Sequence, residues 1–294
     1  MSGAVGPKNL SGRVAVVTGG TSGIGKEVAL GLARQGATTV VVGRGADRAS
    51  GVAAELAGVS GNPQVEALRV DDLARMADTR ELAAALLDRY PSIHILVNNA
   101  GAYFRRRDET PDGLERTFAL NVLSPYMLTA LLAPRLTASA PARVVNVSSA
   151  AHRGARVDFT DLQSSRRFSG FSVYGASKLE LLWLTREFAR RLNGKGVTVN
   201  AVHPGFVRSG FALNNGGGTA FGMRILGRLF GRSVVRGADT PIFVASAPEL
   251  ASVTGGYFAD RKAHPGSNDS RDPSKARQLF EECVRISGLT PLAG

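Results

Sequence analysis

Residues 13–43 read RVAVVTGGTSGIGKEVALGLARQGATTVVVG, and the order of apolar and glycine residues in this stretch decides the fold. Arg13–Thr18 is a short apolar run of the kind that forms a buried strand. Gly23–Gln35 has the pattern of a helix, and Thr39–Gly43 returns as a second strand. Between strand and helix lies Thr18-Gly19-Gly20-Thr21-Ser22-Gly23-Ile24-Gly25. Glycines at 19, 23 and 25 let the backbone turn tightly and approach a pyrophosphate without side-chain clash. The helix then aims its free amides and positive dipole end at the phosphate, with Thr21, Ser22 and Ile24 in the same cradle. A strand on one side and a helix on the other raise this glycine cluster above a merely tight turn. After the second strand an NAD site usually offers a carboxylate for the ribose 2′-hydroxyl. Here Gly43 is followed by Arg44, which supplies a cation for a 2′-phosphate, with Arg48 nearby. The expected cofactor is therefore NADP(H).

Outward from this unit, strand and helix patterns keep alternating. Strands are expected at Val65–Val70, Ile93–Asn98, Ala142–Ser148, Val197–His203 and Gly256–Ala259. Helices are expected at Asp47–Leu56, Met76–Arg89, Gly113–Leu136 (despite Pro125), Val173–Leu192 and Asp239–Ser246. Such alternation predicts an α/β fold, a doubly wound parallel sheet of Rossmann type, in one domain over 11–288 between short tails at 1–10 and 289–294. A glycine-rich stretch, Asn214–Gly222, lies in a presumptive flap over about 206–236. Its Phe211, Phe221, Met223, Ile225, Leu226, Leu229 and Phe230 would line an apolar pocket, and its arginines 224, 228, 232 and 236 could alternatively rest on an anionic membrane.

Composition narrows the function classes. No stretch approaches bilayer-spanning length, and Met1–Asn9 lacks the apolar core of a signal peptide. One cysteine, Cys283, precludes an intrachain disulfide and suits a reducing cytoplasm. The histidines at 94, 152, 203 and 264 are scattered, so no metal site is expected. The net charge of +12 invites a nucleic-acid reading, but 30 of the 36 basic residues are arginines spread along the chain. Runs such as Arg105-Arg106-Arg107 and Arg166-Arg167 are short, and there is no sustained basic tract with interleaved aromatics, so a solvated basic surface is preferred.

Tyr174-Gly175-Ala176-Ser177-Lys178 places tyrosine and lysine on one helix face. An unperturbed phenol, with pKa about 10, is a poor acid or base near neutrality, and a nearby ammonium is expected to lower it. Ser149, at the end of the fifth strand, can hydrogen-bond a substrate oxygen as it gains charge.

Together these motifs resemble the classical short-chain dehydrogenases/reductases, from about Leu10 to Gly288. The resemblance implies adenine contact at Asp72-Leu73, with Asp71 leaving the register open by one. It implies a structural turn at Asn98-Asn99-Ala100-Gly101, so that Asn99, Ala100 and Gly101 border the cofactor. Asn121 would hold a relay water through its backbone, beside catalytic Ser149, Tyr174 and Lys178; Tyr174 and Lys178 would also touch the cofactor. Pro204, Gly205, Val207 and Ser209 match the loop that holds the nicotinamide carboxamide. The segment Asn146–His152, the run Phe159–Gln163 and Val202–Ser209 are similar to the retinol dehydrogenase branch, although Gly175-Ala176 replaces a bulkier pair and no hydrophobic N-terminal anchor is present. The implied reaction is hydride transfer between nicotinamide and an apolar carbonyl or its alcohol. The family also implies a homodimer or homotetramer through the helices carrying Asn121 and Tyr174. A catalytically idle NADP-binding regulator is the competing reading, and it would lack one of Ser149, Tyr174 or Lys178.

Overall fold

The computed structural model describes residues 9–205 and 233–289. Among the described residues, eight strands form one sheet: β1 Val14–Thr18, β2 Thr38–Gly43, β3 Val65–Arg69, β4 Ile95–Asn98, β5 Ala142–Val147, β6 Val197–His203, β7 Tyr257–Ala259 and β8 Lys262–His264. Their order across the sheet is β3-β2-β1-β4-β5-β6-β7-β8. Every pairing is parallel except β7 with β8, which is antiparallel. The strand order reverses at β1, which pairs with β2 on one side and β4 on the other. A crevice opens at such a reversal outside the carboxyl ends of the strands, and ligands bind there in open α/β sheets.

Among the described residues, seven helices flank the sheet: α1 Gly23–Arg34, α2 Ala46–Ser60, α3 Met76–Arg89, α4 Arg116–Ala138, α5 Gly170–Arg191, α6 Val234–Ser246 and α7 Pro273–Ser287. Successive strand side chains point to opposite faces, so the buried strands feed two cores. Val16, Val40, Leu96, Val144 and Val199 pack with α3, α4 and α5 on one face. Ala15, Val17, Val41, Ile95, Val97 and Val145 pack with α1, α2 and α6 on the other.

The structure departs from the sequence reading in four places. First, α4 starts at Arg116 and contains a wider turn, Ala119–Leu123. Proline has no N–H to offer the carbonyl four residues back, so Pro125 cannot serve Asn121. The register slips by one residue, and the Ser124 amide donates to the carbonyl of Ala119. Second, α4 is long and apolar enough to cross a bilayer by length and composition, contrary to expectation. Most of that apolar stretch is buried against β4, β5 and α3, which accounts for it as core.

Third, α5 begins at Gly170 and α6 at Val234, so the end of the expected flap is the first turn of a helix, with the Ser233 hydroxyl accepting from the Arg236 amide at 3.3 Å. Fourth, β8 and α7 lie beyond the last expected strand. A start and stop signal for α7 is present: Asp272 caps it by accepting from the Ser274 and Lys275 amides, Pro273 opens it and Gly288 closes it at φ 64°. Its apolar stripe, Ala276, Leu279, Phe280 and Cys283, is buried against α4 and α5. The Phe280 ring stands 5.1 Å from Tyr126 and 5.2 Å from Phe188, with the Arg191 guanidinium 4.0 Å from its centre. Thus α7 packs along the helix that carries Tyr174 and meets the helix that carries Asn121 at Tyr126.

Candidate active site

The phosphate turn is built as its glycines require. Gly19 and Gly23 have φ of 64° and 55°. A Cβ on Gly25 would lie 2.4 Å from both the Asn99 amide nitrogen and the Gly19 carbonyl oxygen. Ser22, the residue before α1, makes no side-chain cap, and the first turn holds no acidic residue. The helix amides therefore face outward without a built-in acceptor, and the donor set fits a phosphate. Ile24 packs at the edge of the α1–α2 core and Thr21 touches Gly43, where an added Cβ would meet the Thr21 methyl at 2.2 Å. Arg44 follows, exposed, with no carboxylate before Asp47; Arg48 is exposed one turn later.

Thr18 joins this turn to the end of β4, a role the sequence reading passed over. Its hydroxyl donates to Val97 O at 3.3 Å and accepts from the amides of Asn99 and Ala100, each at 3.0 Å. The Asn99 side chain donates to the carbonyls of Thr18 and Gly19 at 2.9 and 3.3 Å. Asn98 turns inward instead, donating to Asn146 Oδ1 at 2.9 Å, while Asn146 donates to the Thr185 hydroxyl at 2.9 Å. Gly101 is needed for close approach, since a Cβ there would lie 3.1 Å from Asn121 Oδ1 and 3.3 Å from Lys178 Nζ.

At the adenine end, Asp72 is half-buried, accepts from the Ala74 amide at 3.0 Å and pairs with Arg116. Asp71 is exposed and pairs with Arg69 at 2.6 Å. Leu73 buries its side chain in the core, leaving only its backbone for a ligand. Pro204 and Gly205 follow β6, with Gly205 at φ 83°. Val207 and Ser209, and the flap up to residue 232, lie outside the described residues.

Ser149, Tyr174, Lys178 and Asn121 come together around the ends of β4 and β5. The Ser149 hydroxyl hydrogen-bonds Tyr174 and accepts from the Ala151 amide at 3.2 Å. Lys178 Nζ donates to Val147 O at 3.1 Å and lies 5.6 Å from the centre of the Tyr174 ring. Ser148 anchors the same helix by donating to Lys178 O at 2.9 Å. Asn121 is buried: its Oδ1 accepts from the Ala102 amide at 2.9 Å, and its Nδ2 donates to Ala102 O at 2.9 Å and to the Ser177 hydroxyl at 3.0 Å. Its side chain is committed to holding the chain after β4, so a relay role would fall to its backbone carbonyl, which Pro125 deprives of its α-helical donor.

The electrostatics differ from the sequence expectation. Burial pushes the Tyr174 phenol up to about 12, opposed only by the Ser149 hydrogen bond. Burial also lowers Lys178 to about 8. The ammonium lies 5.6 Å from the ring centre and donates to Val147 O, and burial of the phenol is the dominant influence on its acidity.

Two further groups escaped the sequence reading. Tyr103 stands edge-on to Tyr174, with ring centres 6.2 Å apart. A Cβ on Gly170 would lie 3.2 Å from the Tyr103 ring, so the start of α5 presses on that wall. His203 Nδ1 accepts from the Ala150 amide at 3.3 Å, steadying the turn that begins at Ser149. Both signals sit in the sequence beside recognised motifs, but only packing gives them a direction.

Comparison with known proteins bears on the same residues. The family model for short chain dehydrogenases matches residues 13–216. The chain is 37% identical to retinol dehydrogenase 13 of Homo sapiens over 285 residues, covering 95% of this chain and 86% of that protein. It is 39% identical to retinol dehydrogenase 12 of Mus musculus over 283 residues, covering 95% and 88%. Among solved structures, the Pseudomonas aeruginosa RhlG/NADP active-site complex is 30% identical, with a TM-score of 0.68 over 86% of this chain and 97% of that one. Sheet order, the phosphate turn and the serine–tyrosine–lysine cluster thus occur in one chain together with these likenesses, and the chain belongs to the short-chain dehydrogenase/reductase family, an oxidoreductase of alcohols and carbonyls.

Proposed function

We propose that the protein is an NADP(H)-dependent reductase of an apolar aldehyde or ketone, reversible to the alcohol, with Tyr174 as the general acid and base. The observation that carries the reading is the hydrogen bond between Ser149 and Tyr174 beside a phosphate-binding turn whose helix amides are uncapped. When bound, the cofactor supplies the hydride. The exposed Arg44 after β2, with no acid beside it, favours a 2′-phosphate. RhlG was solved with NADP, which supports the same choice by analogy.

The chain's own residues handle the proton and the charge. A phenol held up to about 12 is protonated at neutral pH, the form needed to deliver a proton to a carbonyl oxygen. Ser149 orients that oxygen and stabilises its developing charge, while the hydroxyl's existing bond to Tyr174 aims the proton. Lys178, lowered to about 8, still carries most of its charge near neutrality and balances the phenolate left behind. The Asn121 carbonyl supports the route by which the proton is replaced. Tyr103 offers an aromatic wall next to the reacting group, which suits an apolar substrate. The setting proposed is the cytoplasm, on the single, buried Cys283.

The test is NADPH oxidation across a panel of aldehydes and ketones, retinal included, with Tyr174→Phe alongside. Turnover lost in the variant, with NADPH binding retained, is the expected result. NADPH binding without turnover of any carbonyl, unchanged in Tyr174→Phe, would instead favour an idle binder.

A further inference from the structure

His152 is fully buried, 0% exposed, and takes no part in the chemistry just described. Its Nδ1 is 2.7 Å from the carbonyl oxygen of Ser149, an atom that can only accept. Its Nε2 is 3.2 Å from the backbone nitrogen of Ser267, which can only donate. These two partners leave one tautomer: neutral, with the proton on Nδ1, donating to Ser149 and accepting from Ser267. The ring is held edge-on against buried Tyr257, with centres 5.0 Å apart. Ser267 is presented by Gly266 at φ 75°, where an added Cβ would lie 2.7 Å from the Ser270 hydroxyl. The segment after it is tied to the tyrosine helix α5, because Trp183 Nε1 donates to Asp269 O at 2.8 Å and Arg186 donates to Ser270 O.

We infer that His152 is a positioning residue for Ser149: as the neutral Nδ1–H tautomer it couples the serine's backbone to the carboxyl-terminal segment at Ser267 and so fixes where the Ser149 hydroxyl points. The inference rests on the role assigned to Ser149. Ser149 lies at the start of a single short turn, and from its other side Ala150 is held by His203. The imidazole thus links this turn to the carboxyl-terminal segment through Ser267. Small displacements of a group that must touch the reacting oxygen are costly, so removing the imidazole bonds acts on the chemical step rather than on cofactor affinity.

The experiment is a double-variant cycle on the NADPH-loaded protein, comparing wild type, His152→Phe, Ser149→Ala and the pair. Phenylalanine keeps a ring against Tyr257 and removes both hydrogen bonds; His152→Gln is the second variant should the first not fold. Turnover is expected to fall roughly 10- to 100-fold in His152→Phe, with the Kd for NADPH within about twofold, and to fall no further when His152→Phe is added to Ser149→Ala. If the losses multiply in the pair, or NADPH binding weakens as much as turnover, the positioning role is overturned. If Ser149→Ala alone leaves turnover intact, the reading of the site itself fails. A second readout needs no turnover: nitrogen-15 NMR of labelled histidine should show one ring protonated at Nδ1 and bare at Nε2, lost in His152→Gln. Finding the opposite tautomer there would also overturn the inference.

Discussion

Replacing Glu180 by glutamine should stabilise the protein by about 3 kcal/mol near pH 7 and by less than about 1 kcal/mol near pH 5. Glu180 lies on α5 two residues beyond Lys178, buried where α5 meets the start of α4 and the helix α7. Burial raises its carboxyl from 4.5 to about 8, and the neighbouring Glu115 carboxylate pushes in the same direction. Glu115 caps α4, accepting from Thr117 N, Thr117 Oγ1 and Phe118 N at 2.7 to 2.8 Å. The sign follows from proton counting. Below the unfolded value both states hold the proton and the carboxyl costs nothing. Between 4.5 and about 8 the unfolded chain releases a proton that the folded chain keeps, so stability falls by about 1.4 kcal/mol for each pH unit gained. Glutamine has the same shape and no charge to lose, so the variant escapes that slope. Urea unfolding at several pH values from about 5 to 8 measures the difference directly. A gap that does not widen with pH, or a variant less stable than the wild type at the upper end, would refute the argument. Glu180→Met, which also removes the polar atoms, should show the same pH trend.

Arg44→Ser should raise the KM for NADPH roughly tenfold while changing that for NADH little, and the effect should shrink at high salt because the guanidinium is exposed. Equal losses for both cofactors would argue against a 2′-phosphate contact. Sedimentation with crosslinking should reveal no assembly through the surface of α4 and α5 around Tyr126 and Phe188, since Phe280 of α7 already packs there. A stable dimer whose interface maps to those two helices would contradict this.

How much of this was legible in the sequence depends on how far apart the cooperating residues are. The phosphate turn and the Tyr174–Lys178 face are matters of spacing within one or two turns of chain, so both could be read directly. Asn121 was recognised, and Pro125 four residues on supplied the reason its helix must widen, although that consequence was not drawn. The helix Pro273–Ser287 carries local signals in its caps and apolar stripe. Its burial on Tyr126 and Phe188 could not be read, because those partners come from two other helices.

By itself, the sequence determined the class of fold, the glycine turn between the first strand and helix, and the shared helix face of Tyr174 and Lys178, since local periodicity and glycine conformation are properties of neighbouring residues. Only the tertiary structure decided the rest. It set the burial that drives Tyr174 up and Lys178 down, and seated the ammonium on Val147 O beside the tyrosine ring. It also kept Glu180 protonated and paired His152 with Ser267 across 115 positions. Desolvation and long-range hydrogen bonds depend on what the folded chain brings alongside a group, and no run of neighbouring residues encodes that.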